Sequence, residues 1–223
     1  MLYLKKPNEK GFTLIELLVV MIVMSILSFA LVNFISTWIQ SSSIALARAN
    51  LLNEAQNALT TANNDIMLSG GVDQTNRWPD PNGPGGNEYG WSSNSQTMIL
   101  AKVATDSSGN AIFLDSSDYI TQKDDEIYYL SGTTLYRRTL ASNSTNDAAV
   151  TTCPPSLTTS TCPPDTIIAK GVTNWLITYY GANNTVVTPS NARSIQLSIT
   201  LTSPYGNQSI NASYTTRMVF RND

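Results

Sequence analysis

The sequence predicts an α+β protein in which one long N-terminal α-helix packs on a C-terminal, largely antiparallel β-sheet domain. Three observations predict this class. Near the N-terminus, 14 of the 16 residues from 17 to 32 are apolar. A helical spacing of apolar residues then continues to about residue 68. After residue 96 the chain contains several short strand-like segments and no second helix-length pattern.

The apolar run is long enough to cross a membrane. Residues 12–39 contain a single charged residue, Glu16, and a bilayer requires about 20 mostly apolar residues. The leader before it carries Lys5, Lys6 and Lys10 against Glu9, which favours its retention in the cytoplasm. We therefore expect single-pass insertion in the cytoplasmic membrane, with the C-terminal domain outside the cytoplasm.

Residues 11–20, GFTLIELLVV, resemble the N-terminal signature of type IV prepilins and type II secretion pseudopilins. In that family a prepilin peptidase cuts after the glycine and methylates the new N-terminal residue. The resemblance therefore implies cleavage after Gly11 and N-methylation of Phe12. It also implies that Glu16 pairs with the N-terminal amine of a neighbouring subunit. A simple membrane anchor would explain the hydrophobicity, but it would need neither the glycine nor an acid that costs about 2.5 to 3.5 kcal/mol to insert.

The helical pattern continues beyond the apolar run as an amphipathic segment. Its apolar stripe comprises Ile44, Ala47, Leu51, Ala55, Ala58, Ala62 and Ile66. Gly70 and Gly71 then predict the end of the helix, because glycine readily adopts the conformation that follows a helix C-terminus. The predicted segments are a leader at 1–11, a transmembrane and assembly helix at 12–40, an amphipathic extension at 41–69 and a soluble β-rich domain at 70–223.

The predicted strands of this domain are separated by two long loops. The Gly, Pro, Asn and Ser content of residues 69–95 predicts no regular structure, although Trp78, Tyr89 and Trp91 are expected to fasten this loop to the domain. Residues 141–161 are a second predicted loop. The predicted strands are 97–104, 111–114, 126–130, 134–140, 172–180, 192–202 and 209–221, of which the first two and the next two form hairpins.

Short stretches in this half, such as EIYYL at 126–130 and GVTNW at 171–175, resemble J-type minor pseudopilins and PilW-like minor pilins. The alternating residues Ile195, Leu197, Ile199 and Leu201 predict one buried strand face, which we expect to lie against the helix.

The two cysteines, Cys153 and Cys162, predict a disulfide. In an exported domain such a pair most often bonds, and closing this loop would contribute roughly 2.5 kcal/mol in the chain-entropy model. Two free thiols or half of an intermolecular metal site are the alternatives.

Three charged clusters could carry chemistry. Asp80, Asn82 and Glu88 lie in a glycine-rich, oxygen-rich stretch that makes them weak calcium candidates, although the spacing is not that of an EF-hand. The consecutive acids from Asp124 to Glu126 stand at a strand entrance and are expected to be solvated rather than catalytic. Arg137 and Arg138 point to opposite faces of a predicted strand, so we expect at most one of them to enter the core or an interface.

Composition argues against an enzyme. The chain has no histidine, so histidine-based catalytic and zinc sites cannot form within it. Its 13 basic and 16 acidic residues give a net charge of −3, which argues against a nucleic-acid partner. We expect no cofactor and no resident metal.

The sequence therefore predicts a structural minor pilin or pseudopilin. Its expected partners are other such subunits, a prepilin peptidase and an inner-membrane assembly platform. A type II secretion pseudopilus subunit and a pilus-displayed adhesive or ligand-binding module remain the alternatives.

Overall fold

The computed structural model describes Gly11, residues 13–115 and residues 120–220. This part of the chain forms one long helix followed by ten strands. The helix is α1 (Leu14–Leu68), and the strands are β1 (Ser69–Asp73), β2 (Thr97–Val103), β3 (Phe113–Asp115), β4 (Ile120–Thr121), β5 (Lys123–Ser131), β6 (Thr134–Leu140), β7 (Thr166–Lys170), β8 (Val172–Tyr180), β9 (Ser194–Tyr205) and β10 (Gln208–Val219). The order of elements confirms the predicted α+β class.

The chain divides into two units, Met1–Leu46 and Ala47–Asp223, and α1 contributes to both. In the first unit every large apolar side chain from Leu14 to Ile39 is at least 46% exposed. The helix is long and apolar enough to cross a membrane. The described residues leave this apolar surface uncovered, and an exposed apolar surface of this size is typical of a membrane-contacting or protein-contacting segment.

In the second unit one face of α1 is buried. Its buried apolar residues are Leu51, Ala55, Ala58, Leu59, Ala62 and Ile66, so the predicted stripe is confirmed from Leu51 onward. Small alanines along this face let the helix lie close to the β-sheet domain on which it packs. Asp65 is also buried in this face, a position that the stripe does not predict.

Two antiparallel sheets and a short hairpin make up the β-rich domain. The first sheet has the strand order β1-β2-β5-β6-β7, and the second has the order β10-β9-β8. The hairpin pairs β3 with β4. The predicted face of Ile195, Leu197, Ile199 and Leu201 is buried on β9, with each residue at most 1% exposed.

The pairing of β5 with β6 follows the predicted hairpin. Ser131 pairs with Thr134 across a two-residue turn of Gly132 and Thr133. Gly132 has a φ of 59°, a conformation that glycine adopts without steric cost. The β9 and β10 strands form a second tight hairpin, and all twelve residues of each pair in register. The last residue of the predicted strand 209–221, Arg221, lies outside the described residues.

Three predictions about strands are wrong. Residues 69–95 are not entirely irregular, because Ser69–Asp73 forms β1, and β7 lies where no strand is predicted. The predicted hairpin of residues 97–104 with 111–114 is limited to its turn, where Thr105 pairs with Ala111 and Ile112 N donates to Ala104 O at 3.0 Å. Instead, β2 pairs with β1 and β5. These pairings depend on tertiary contacts that local composition does not encode.

The central strand β5 is buried on both faces, which explains the burial of its acids. Asp124, Asp125 and Glu126 are each at most 5% exposed, so the prediction that they are solvated is wrong. One face of β5 carries Ile127, which packs with Trp91, Ile99 and Leu140. The glycine-rich segment that contains Trp91 therefore covers this face of the sheet.

Arg137 and Arg138 lie on opposite faces of β6, as predicted, but both enter ion pairs. On one face Arg137 Nη1 contacts Asp65 Oδ2 of α1 at 2.8 Å. On the other, the fully buried Arg138 contacts Asp80 Oδ2 at 2.5 Å and Asp165 Oδ2 at 2.8 Å. The expectation that at most one of them enters the core or an interface is therefore wrong.

The disulfide between Cys153 and Cys162 is present, with the two Cα atoms 5.6 Å apart. Next to it, Asp165 N donates to Cys153 O at 2.8 Å, and Thr152 Oγ1 donates to Asp165 Oδ1 at 2.6 Å. The bridged loop thus holds the carboxylate of Asp165 in the position where Arg138 binds it.

We predict that Arg138→Met lowers the free energy of unfolding by about 3 to 5 kcal/mol, because it leaves two buried carboxylates without their cation. Arg77→Met is the matched control, since it breaks the half-exposed pair with Asp73 and should cost less than about 1 kcal/mol. Denaturant unfolding of the detergent-solubilised protein, followed by tryptophan fluorescence, measures both. Equal losses in the two variants would contradict the role of Arg138.

Candidate processing and assembly site

Gly11 stands exposed three residues before α1 begins. Among the described residues, a Cβ atom built at this glycine would meet no atom within 4 Å. Packing against the described residues therefore does not require glycine here. Phe12, the predicted new N-terminus, and the leader residues 1–10 lie outside the described residues.

Thr13 and Glu16 form a capping box at the N-terminus of α1. The carboxylate oxygen Oε2 of Glu16 accepts hydrogen bonds from Thr13 N at 3.0 Å and from Thr13 Oγ1 at 2.8 Å. In return Glu16 N donates to Thr13 Oγ1 at 3.4 Å. This reciprocal arrangement satisfies amides that a helix start leaves unpaired. The sequence pattern T-x-x-E could have predicted this capping box, whereas the role expected for Glu16 from the family resemblance was intermolecular only.

The other carboxylate oxygen of Glu16, Oε1, has no partner among the described residues. The side chain is exposed within the single chain. Glu16 can therefore keep its bonds to Thr13 and still accept hydrogen bonds from a cation supplied by another molecule. The capping role and the predicted pairing with an amine are compatible.

Asp80, Asn82 and Glu88, the calcium candidates, do not converge on a common position. Asp80 is fully buried, and its Oδ2 accepts from Arg138 Nη1 at 2.5 Å and from Trp91 Nε1 at 2.7 Å. Asn82 N donates to Asp80 Oδ1 at 2.9 Å, while the side chain of Glu88 is exposed. A cation at Asp80 would have to displace the guanidinium. Across the described ranges no group of three or more acidic or cysteine side chains is arranged to hold a metal ion.

The acids of β5 fasten separate segments to this strand. Asp125 Oδ2 accepts from the backbone N–H groups of Arg77 and Trp78 at 2.5 and 3.2 Å. Glu126 Oε1 accepts from Lys102 Nζ at 2.7 Å. Burial raises the pKa of Asp125 to about 6, although the two N–H groups oppose the shift. Through these contacts Asp125 and Glu126 have a structural role, because each holds a neighbouring segment against β5.

Asp124 shares its position with a second acid, Asp147, from the loop after β6. The N–H of Ser142 donates to Asp124 Oδ1 at 2.8 Å and to Asp147 Oδ2 at 3.0 Å. Burial, followed by the hydrogen bond with Asp147, raises the pKa of Asp124 to about 7. Despite its own partial burial, hydrogen bonds from Ser142 and Ala149 lower the pKa of Asp147. Folding therefore favours the proton of this pair on Asp124.

Of the three aromatic residues expected to fasten the glycine-rich segment to the domain, two do so and one does not. Trp78 Nε1 donates to Lys123 O at 2.6 Å, and Trp91 is buried against the sheet. Tyr89, however, is 53% exposed, so the expectation that it fastens this segment is wrong. Asn76 supplies another anchor, since its side chain donates to the carbonyls of Trp78 and Glu88 at 2.7 and 2.8 Å.

Comparison with protein families places a motif at the start of the chain. The family model described as the prokaryotic N-terminal methylation motif matches residues 6–32, which include Gly11, Thr13 and Glu16. Comparison with curated proteins gives no match. The motif is that of type IV pilin-like or pseudopilin-type precursors, a structural class that a prepilin peptidase processes and that assembles with other pilin subunits.

We predict that Asp124→Asn stabilises the protein increasingly as pH rises from about 4 to 7. The pKa of Asp124 is raised in the folded state, so folding favours its protonated form, and ionisation at higher pH costs stability that asparagine does not lose. Thermal unfolding of both proteins between pH 4 and pH 8 measures the difference.

Asp106→Asn serves as the control with the opposite sign. Hydrogen bonds from Asn110 lower the pKa of Asp106 in an exposed turn, so its charged form favours folding above its ordinary pKa. This variant should gain no stability at high pH. A pH-independent effect of Asp124→Asn would contradict the shared proton.

Proposed function

We propose that this protein is a structural minor pilin or pseudopilin subunit. It is made as an inner-membrane precursor, processed after Gly11, N-methylated at Phe12 and assembled through its N-terminal helix into a type IV pilus or related filament. The observation that carries the proposal is the methylation motif at residues 6–32, with its acid, Glu16, in the first turn of a helix whose apolar surface is unburied.

The environment of Gly11 supports its role as the cleavage site. The glycine lies within the methylation motif at residues 6–32, and the described residues leave open space around its exposed position. Cleavage there would leave the apolar helix in the mature protein, whereas an ordinary signal peptide loses its apolar core.

Glu16 is suited to set the axial register of assembly. Its free oxygen would accept hydrogen bonds from the Phe12 amine of an adjacent subunit, while Oε2 keeps its bonds to Thr13. Two opposite charges in an apolar surrounding attract strongly, and either one is costly to leave unpaired there. Subunits are therefore favoured at the displacement that brings the two groups together.

The disulfide supports a location of the soluble domain outside the cytoplasm, because such bonds persist in oxidising compartments. The predicted segments at 1–11, 12–40, 41–69 and 70–223 would then be leader, membrane helix, helix extension and exported domain. The partners are the prepilin peptidase, the assembly platform and other subunits.

A type II secretion pseudopilus is the alternative assembly, since the same helix and motif would serve it. A pilus-displayed ligand-binding module is less well supported. The two long loops that could serve such a module, residues 69–95 and 141–161, are both tied to the strands: Arg138 contacts Asp80 in the first, and Asp124 accepts from Ser142 N in the second. Loops held in this way are suited to a structural surface.

We predict that co-expression with a prepilin peptidase yields a mature chain that begins at methylated Phe12, as mass spectrometry of the N-terminus would detect. Gly11→Val should block cleavage and leave the melting temperature unchanged, because the added side chain meets open space. An intact Met1 in the presence of active peptidase, or a cut at another bond, would overturn the processing site.

We predict that Glu16→Ala is processed and inserted normally but assembles poorly, as the yield of sheared filaments would measure. Thr13→Ala separates the two roles of Glu16, since it removes part of the capping box, at about 0.5 to 2 kcal/mol, but keeps the carboxylate. Assembly should persist in Thr13→Ala. An equal defect in both variants would reduce Glu16 to a helix cap, and normal filaments from Glu16→Ala would refute its role in register.

A further inference from the structure

Asn33 is an amide within the apolar stretch of α1. Leu31 and Val32 precede it, and Phe34 and Ile35 follow it. Trp38, a residue type typical of the membrane interface, lies five residues further on, about 7.5 Å along the helix. The short side chain of Asn33 does not span that distance, unlike the long side chains that reach the interface.

The hydroxyl groups of Ser25 and Thr37 donate to backbone carbonyls of their own helix, whereas the side-chain amide of Asn33 has no such bond. Ser25 Oγ donates to Met21 O at 2.7 Å, and Thr37 Oγ1 donates to Asn33 O at 2.9 Å. The described residues offer no hydrogen bond to the side-chain amide of Asn33. An unpaired amide in hydrocarbon is strongly unfavourable, so the partner must come from another molecule.

The amide belongs to a seam with alternating spacings of three and four residues. Residues at this spacing line one face of the helix, here called the seam containing Asn33. It comprises Val19, Ile22, Ile26, Phe29, Asn33, Ser36 and Gln40. The opposite seam of the helix contains large apolar residues only: Val20, Met24, Leu27, Leu31, Phe34 and Trp38. A seven-residue repeat favours left-handed helix pairing, in which one asparagine in the seam fixes register and oligomeric state.

We propose that the seam containing Asn33 pairs with the same seam of a second copy of this chain in the membrane, before assembly. The proposal rests on the membrane insertion inferred above. Every copy carries the same basic leader and the same Trp38, so two copies insert in parallel with Asn33 at the same depth. Each amide then faces a group that both donates and accepts, whereas an unrelated helix need not offer one there.

Cysteine cross-linking of the full-length precursor tests this pairing, in membranes of cells that lack prepilin peptidase. Phe29→Cys places a thiol on the seam containing Asn33, and Leu31→Cys is the matched control on the opposite seam. The native cysteines are bonded to each other, so the parent chain should give no dimer. We expect an oxidative dimer from Phe29→Cys and little from Leu31→Cys.

Adding Asn33→Leu to Phe29→Cys should lower the dimer yield about threefold to thirtyfold, the range expected for one interhelical hydrogen-bonded contact in a membrane. Asn33→Gln should restore much of it. Equal yields from both cysteine positions, no effect of Asn33→Leu, or cross-links to other proteins alone would overturn the pairing. Alkaline extraction identifies inserted chains: an inserted chain without dimer contradicts the pairing alone, whereas an extracted chain also contradicts the proposed anchoring.

Discussion

The ion pairs of Arg138 hold together the parts of the domain that lack regular structure. The guanidinium lies on β6 and contacts Asp80 in the segment between β1 and β2 and Asp165 beside the disulfide loop. The rings of Trp91 and Tyr129 flank it, 5.5 and 5.7 Å from its central carbon. Tyr129 also donates to Asp165 at 2.6 Å. One buried cation thereby fixes two segments that contain few residues able to form strands.

The contacts of Arg138 with Asp80 and Asp165 fix the two segments firmly because all three charged groups are buried. Two carboxylates that lose water need their full set of donors, because each unmet group costs much more than an average hydrogen bond contributes. Asp80 has three donors and Asp165 has Arg138, Tyr129 and Thr152. Alternative placements of either segment would leave charges buried and unpaired. The same reasoning applies to β5, where Asp124 and Asp125 fasten the segments that cover its two faces.

The neighbouring residue Arg137 makes a similar ion pair with the helix. Its contact with Asp65 joins β6 to α1, and Tyr128 also donates to Asp65. Adjacent residues of one strand therefore organise opposite faces of the sheet, since their side chains alternate. The position of the helix depends on a polar contact in addition to its alanine-rich apolar stripe.

These examples show which features the sequence can predict. The helix, its buried stripe from Leu51 to Ile66 and the β5–β6 hairpin follow from residue periodicity and turn chemistry, which act over a few neighbouring residues. The burial of Asp65, Asp80 and Arg138 does not, because their partners lie far along the chain. An acid triplet at a strand entrance is usually solvated, and only the tertiary covering of β5 reverses that expectation.

In the candidate site, too, some features can be predicted from local sequence and others depend on residues far along the chain. Gly11 and Glu16 are recognisable from a local motif, and the capping box is also visible in the pattern T-x-x-E. The pH response of Asp124 could not be predicted from sequence, since it depends on Asp147, which the fold brings from the loop after β6. Local signals therefore identify the N-terminal motif, and long-range contacts keep the β-rich domain in one conformation.

Both units of the protein obtain specificity from polar groups that are costly to leave unpaired. An apolar helix with no polar residue would anchor a domain equally well, but it could pack against neighbours in many rotations and registers. In the proposed assembly Glu16 would restrict axial displacement, and in the proposed pairing Asn33 would restrict the face that is presented. In the β-rich domain Arg138 restricts the loops by the same principle, with protein rather than lipid as the low-dielectric surrounding. The positions of a few polar side chains therefore determine geometry where apolar contacts alone would permit several arrangements.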